Sequence, residues 1–229
     1  MAFCYDDFSP PKDINEVVQM AVRAVERDAK LTSKPMLPIV HLPQHADGDH
    51  QIDDAPDAIL RVAEILRPLM IAIPERELGA GIFERTRTMR KIREALGTLR
   101  TYQPVHILGT GNPKTIALLA AAGADSFDGL EWCRFVVDGV TATLHHFQHY
   151  EFFRWQDALS GVSSITQAAA KDEAIGYAAK AIFHNLDFYS SWLEKLRIAL
   201  KSERRLVEFM TNLLPRNMDD ARSALPDVL

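Results

Sequence analysis

Cysteine is nearly missing from this chain. Its 229 residues include only Cys4 and Cys133, too few for a disulfide framework or a cysteine-rich zinc site. Each reads as a small core residue. Long apolar runs are missing too: none approaches the roughly 20 residues that cross a bilayer, so no membrane span is expected. The opening MAFCYDDFSPP is acidic and lacks the basic and apolar regions of a secretory signal, which makes the cytoplasm the expected compartment. There is no excess of positive charge. The net charge of −5 argues against broad electrostatic attraction to nucleic acid. Eleven of the 26 lysines and arginines crowd into two segments, Arg85, Arg87, Arg90, Lys91, Arg93 and Arg100, and Lys195, Arg197, Lys201, Arg204 and Arg205. Each group reads as a solvated helix face or as a phosphate track.

The chain is 47% apolar and 25% charged, a globular composition with enough apolar surface for one large core or two small ones. Residues 2–5 form a short apolar run ending in Asp6-Asp7. SPPKD then starts a helix, and Val17, Val18, Ala21, Val22 and Val25 recur at helical spacing from Ile14 to Ala29. MLPIVHLP reads as a buried strand, HADGDHQIDDAPD as a loop, and Ala55 to Leu66 as a helix. LMIAIP is a second buried run, followed by a basic helix from Ile82 to Leu99. PVHILGTG is another strand, and Asn112-Pro113 opens the helix KTIALLAAAG. The stretch GADSFDG supplies a fifth strand end at Asp128.

Short apolar runs alternating with helices predict βαβ units and a parallel sheet. The expected class is α/β with about five units, one too many for a minimal wound sheet and three too few for a closed (β/α)8 TIM barrel. The family resemblance given below implies an incomplete TIM-barrel-like fold. Residues 1–145 would form the partial barrel and 146–229 a mainly helical region, with Ile182, Leu186, Tyr189, Leu193, Leu196 and Leu200 on one side. In such a fold functional groups gather at the C-terminal strand ends. Here those are Asp6 and Asp7, His41, Glu75, the turn Gly109 to Gly111, and Asp128.

Several segments, in order, resemble the tRNA-guanine transglycosylase superfamily. YDDFSPP stands where that family has an Asp-rich strand end, IVHLP where it has VQG, and IAIPER where it has AIGG. PVHILGTGNPKTIALLAAAGADSFDG is similar to the segment from a G-x-G-x-P turn to the nucleophile strand, and IFHNLDFYSSWLEKLRIAL to the IHNL helix. The matched segments span roughly residues 2 to 209. The spacing from Asp128 to Asp138 is nearest to the archaeal branch and the DNA-modifying relatives.

The resemblance implies a transglycosylase that exchanges guanine for a 7-deazaguanine in DNA or tRNA, with DNA slightly favoured. Asp128 would be the nucleophile that traps the sugar as a covalent glycosyl-enzyme. Asp6, His41, Leu108 and Gly109 would bind the base, His41 standing where the family has glutamine. The family's aspartate in a DSGG-type motif has no counterpart here, and Glu75 is a candidate substitute for its acid/base work. Arg85, Arg87, Arg90 and Lys91 are candidates for phosphate contacts, with the target nucleotide flipped out of its helix. The family's zinc site needs three cysteines as well as a histidine. Only His184 remains, so no metal or other cofactor is expected. His145, His146 and His149 have HHxxH spacing, but the interleaved aromatics read as a packing face. Residue by residue, ordinary structural roles fit as well: an Asx-turn for Asp128, helix capping for Asp6 or Asp7, and a plain βα turn for the glycines. A non-catalytic remnant, or a half-barrel completed by a partner chain or a second copy, is the rival reading.

Overall fold

The computed structural model describes residues 1–7, 9–146 and 163–229, in two compact units. The first comprises Met1–Gly109, Leu118–Asp128 and Asp220–Val228. It begins with β1 (Ala2–Phe3), α1 (Ile14–Asp28) and β2 (Met36–Leu37). Next come α2 (Ala55–Leu66), β3 (Ile71–Pro74), a 3-10 turn at Glu75–Leu78 and α3 (Ile82–Leu96). The sheet continues with β4 (Val105–Leu108) and, after the second half of α4 (Pro113–Ala121), β5 (Ser126–Phe127).

All of these strands pair in parallel. β1 pairs with β2, and β3, β4 and β5 pair in that order. A parallel bridge between Ile39 and Ala72 joins the two sets, with Val40 N–H donating to the Ala72 carbonyl and Ala72 N–H to the Pro38 carbonyl. The formal strand at MLPIVHLP is short because Pro38 and Pro43 have no amide hydrogen to give a ladder. The Phe3 and His106 rings lie 5.0 Å apart although their strands are three places apart in the sheet, so the sheet curls on itself. A flat sheet would separate such strands by roughly 14 Å. The unit is therefore α/β with a curled parallel sheet, compatible with an arc of a barrel.

Ile71, Ala72 and Ile73 are fully buried, as are Val105 and Ile107, so the middle of the sheet is covered on both faces. Helices α1 to α3 add Val17 and Ala21, Ile59 and Val62, and Met89 and Ile92 to this buried core. Asp13 caps α1 by accepting from Glu16 N–H, while the Glu16 carboxylate reaches back to Lys12 N–H. The first satisfies a free donor of the helix and the second ties down the chain leading into it. Helix α3 ends at Leu96, three residues before the expected stop, at the Gly97 cap.

The second unit comprises Thr110–Ala117 and Gly129–Asp219, with Leu229. A short helix α5 (Glu131–Arg134) leads into an antiparallel hairpin of β6 (Phe135–Val137) and β7 (Leu144–His146). Sequence periodicity gave no hairpin here, although Asp138-Gly139 is a strong turn signal between two apolar runs. Asp138 closes the turn by accepting from Val140 and Thr141 N–H. Three further helices follow: α6 (Ser164–Lys171), α7 (Tyr177–Ala199) and α8 (Glu203–Leu213). The last described helix, α9 (Met218–Ala224), starts at the end of this unit.

The buried face of α7 is Ala181, His184, Asn185, Trp192, Leu196 and Ala199. It is rotated from the expected stripe, and Leu186 is exposed. The reason is that two polar residues, His184 and Asn185, take core positions by clasping the hairpin. Asn185 accepts from Val137 N–H at 2.9 Å and donates to the carbonyls of Trp132 and Phe135 at 2.7 and 2.5 Å. No helix among the described residues is long and apolar enough to cross a membrane.

Replacing Asn185 with alanine removes three backbone partners at once, the buried Val137 N–H and the part-buried carbonyls of Trp132 and Phe135. The expected loss is about 2–4 kcal/mol in urea unfolding, whereas Leu186→Ala on the exposed side is expected to cost less than about 1 kcal/mol.

Candidate functional site

The exit of β1 is fixed from α1. Tyr5 N–H donates to Asp28 Oδ2 at 2.7 Å, and Arg27 holds the same carboxylate through Nε and Nη2 at 2.5 and 2.9 Å. The Arg27 hydrogen bond and then the Tyr5 amide hold the Asp28 carboxyl down at about 2. This clamp delivers Asp6 and Asp7 to the end of the strand.

There Asp6 meets His41, which follows the second strand. Asp6 Oδ1 lies 2.6 Å from His41 Nε2, and Glu77 Oε1 lies 2.7 Å from His41 Nδ1. Glu77 is buried, and its other oxygen accepts Leu42 N–H at 2.7 Å. His50 Nδ1 lies 3.9 Å from that oxygen. Burial pulls the His41 pKa down, but the hydrogen bonds and charges of Glu77 and Asp6 together outweigh it and raise it above the usual value. A neutral imidazole has one N–H, whereas here two carboxylates face the two ring nitrogens. The arrangement is that of an imidazolium held between two anions.

Glu75, at the exit of β3, pairs with Arg85 Nη1 at 2.5 Å, and Arg85 Nε also donates to the Gly79 carbonyl. On the same helix, Arg90 pairs with Asp227 and Glu94, and Lys91 Nζ lies 3.4 Å from Asp53. Arg87 is exposed. The basic cluster thus spends several of its charges on carboxylates of its own unit.

Asp128 follows β5. Its Oδ1 accepts Gly109 N–H at 2.7 Å, and its side chain is 53% exposed. Gly109 sits at φ 78°, a conformation that glycine adopts without a Cβ penalty, and half-buried Leu108 precedes it at the end of β4. Asp128 Oδ2 lies 3.7 Å from His106 Nε2, beyond hydrogen-bond reach, and that buried nitrogen has no hydrogen-bond partner. His106 Nδ1 contacts Ser126 Oγ at 3.0 Å. Burial lowers the His106 pKa more than the Asp128 charge raises it, so a neutral ring stands beside the carboxylate.

The structure therefore brings Asp6 and His41 into one cluster, and Leu108, Gly109 and Asp128 into another. Glu75 belongs to an ion pair with Arg85. Sequence reasoning overlooked Glu77 and His106. Glu77 was hidden among three consecutive charged residues of IPEREL, where only the following buried Leu78 hints at an inward side chain. His106 sat in an apolar strand whose period predicts burial but not a polar partner.

In the second unit, His184 Nε2 donates to the Val137 carbonyl at 2.7 Å, and Nδ1 is buried without a partner. Burial lowers its pKa. Among the described residues no three histidine, cysteine, aspartate or glutamate side chains are placed to hold a metal ion. These residues do not fit a four-ligand zinc. His149 lies outside the described residues; His145 and His146 belong to β7.

No family model matches the chain. Over 110 residues it is 32% identical to a protein described as tRNA-guanine(15) transglycosylase from Korarchaeum cryptofilum (strain OPF8). That stretch is 46% of this chain and 18% of the relative. The chain thus matches less than a fifth of that protein's length. The similarity supports kinship with the transglycosylase superfamily.

The His41 cluster has a definite pH signature. Its folded-state pKa is raised, so its contribution to stability is fully present below the unfolded value of about 6.5 and is lost as pH rises through the raised value. Wild type is expected to lose stability relative to His41→Gln across that window, measured by urea unfolding at several pH values. His106 and His184, with lowered values, slope the opposite way in both proteins and cancel in the difference.

Proposed function

We propose that the chain is a guanine transglycosylase-like protein acting on guanine in nucleic acid, with Asp128 as nucleophile. The observation that carries this reading is the Asp128 carboxylate itself. It stands exposed at a parallel strand end, with one oxygen fixed by Gly109 N–H and the other turned toward neutral His106. The similarity to a protein named for tRNA and guanine supports the substrate class.

In the proposed reaction an Asp128 oxygen forms a bond to the sugar C1′ while the bond from C1′ to the purine nitrogen breaks. The bonding pair leaves with the purine, which takes up a proton. The incoming 7-deazaguanine loses a proton, attacks C1′ and releases Asp128 as carboxylate. Asp6 accepts from the ring N–H and exocyclic amine of the base, and Leu108 and Gly109 border it. Glu75 is the acid/base candidate among the strand-end residues, and its ion pair with Arg85 must open for that role. Exposed Arg87, with Arg85, Arg90 and Lys91 beside it, offers phosphate contacts. DNA and tRNA both fit this chemistry, and residues 1–145 carry the whole proposed site.

A second reading has a specific observation in its favour. Among the described residues no strand pairs with the outer edge of β1 or of β5. Open edges favour association, so a partner chain or a second copy would complete the sheet and the site.

The test is incorporation of labelled guanine into duplex DNA and, separately, into bulk tRNA. Incorporation into one of them, lowered on the order of a thousandfold or more by Asp128→Asn in folded protein, is the expected result. No incorporation into either substrate, or equal incorporation by Asp128→Asn, overturns the assignment.

A further inference from the structure

We infer that Glu77 and His41 are positioning residues that aim Asp6 at the base, and that base binding weakens when His41 loses its proton. The inference rests on the proposed base-binding role of Asp6.

The geometry decides which partner is released on deprotonation. With both ring nitrogens protonated, His41 donates to Glu77 and to Asp6 at once, at 2.7 and 2.6 Å. A neutral ring keeps one N–H. Glu77 has the stronger hold on it: the Glu77 side chain is 2% exposed, its second oxygen is tied to Leu42 N–H, and no water replaces a lost donor there. The Asp6 side chain, 30% exposed, gains water in exchange. The remaining proton therefore stays on Nδ1, and Asp6 loses its donor and its fixed orientation. One Asp6 oxygen is held by His41 in the charged state, which leaves the other to accept from a ligand.

The direct ring contacts with two carboxylates also change the part expected of His41. Its nitrogens are occupied by Glu77 and Asp6, so it acts on the base through Asp6. Other charged groups surround the cluster. Asp7 follows Asp6, and His50 faces Glu77 from the loop after β2. From α1, Glu16, Arg23 and Arg27 border the same groove of about 510 Å³ as His41. The Asp7 carboxyl is lowered chiefly by the Ser9 amide, Arg27 is paired with Asp28, Glu16 accepts Lys12 N–H, and Arg23 is exposed. None of them touches a His41 ring nitrogen in the way Asp6 and Glu77 do.

The experiment uses the full chain with guanine as the probe. Guanine affinity is measured by equilibrium dialysis from about pH 5.5 to about pH 8.5, and the His41 ring is titrated by NMR in the same samples. In wild type, affinity is expected to fall as His41 deprotonates, with one shared midpoint above that of a free histidine. Glu77→Gln is expected to move both midpoints down together and to weaken binding about tenfold at neutral pH. His41→Gln supplies an amide N–H that does not titrate, so it should bind guanine without that pH dependence even if Glu77→Gln fails to fold. A His41 midpoint moved by Glu77→Gln with an unmoved binding curve overturns the inference alone. So does a wild-type His41 that titrates like a free histidine. If Asp6→Asn binds guanine as well as wild type, or no protein binds it, the base-site reading falls and takes the inference with it.

Discussion

The ladder between β3 and β4 sets everything else in the first unit. Ile71 to Pro74 pair in register with Val105 to Leu108, and their middle residues are buried on both faces. A parallel pair cannot be closed by a tight turn, so α3 must cross over between them. The same logic applied along the sheet sends each strand out at the same edge. The residues that follow β1, β2, β3, β4 and β5 are then brought to one side by topology alone. Asp6, His41, Glu77, Gly109 and Asp128 lie toward the same edge of the sheet for that reason, before any side-chain contact is made.

Carboxylates then fix the backbone where the strands begin and end. Asp28 accepts Tyr5 N–H, Glu77 accepts Leu42 N–H, Asp125 accepts Val105 N–H and Asp128 accepts Gly109 N–H. In each case an anion from one element satisfies a backbone donor that has run out of ladder partners. Three of these carboxylates are balanced by a cationic side chain as well: Arg27 at Asp28, Arg93 at Asp125, and His41 at Glu77. Buried anions need such partners, since their desolvation is otherwise costly. Asp128 makes its backbone bond without one, and its nearest ring is a neutral histidine.

The helices and strands of the first unit were legible because apolar spacing and end signals agreed. Val17, Val18 and Ala21 face inward as their period requires, and Asp13 caps α1. Legibility failed where a polar group occupies an apolar position. Asn185 and His184 turned α7 away from its leucine stripe, and Glu77 replaced solvent with a histidine and a backbone amide. Periodicity scores such residues as surface, because their burial depends on partners 36 or 48 residues away in sequence. The strand ends were nevertheless correctly marked by their charged residues, and that is what made Asp6, His41 and Asp128 visible at all.

What separates the carboxylates of the proposed site from the structural ones is the number of acceptor sites still open. Asp125 accepts from Val105 N–H, Arg93 and the Tyr102 hydroxyl, and burial with the Asp125 hydrogen bond pushes that phenol up to about 12. Glu77 and Asp28 are likewise filled on both oxygens. Both oxygens of each of these groups are already committed to the fold. Asp6 spends one oxygen on His41, and Asp128 spends one on Gly109, while both stay open to solvent. A carboxylate has about four lone-pair positions: Asp28 and Asp125 each use three, buried Glu77 uses two, and Asp6 and Asp128 use one each. Asp6 and Asp128 are also the pair that the topology delivers to the C-terminal edge of the sheet. The case for chemistry at Asp128 and recognition at Asp6 therefore rests on unspent hydrogen-bonding capacity as well as on sequence likeness.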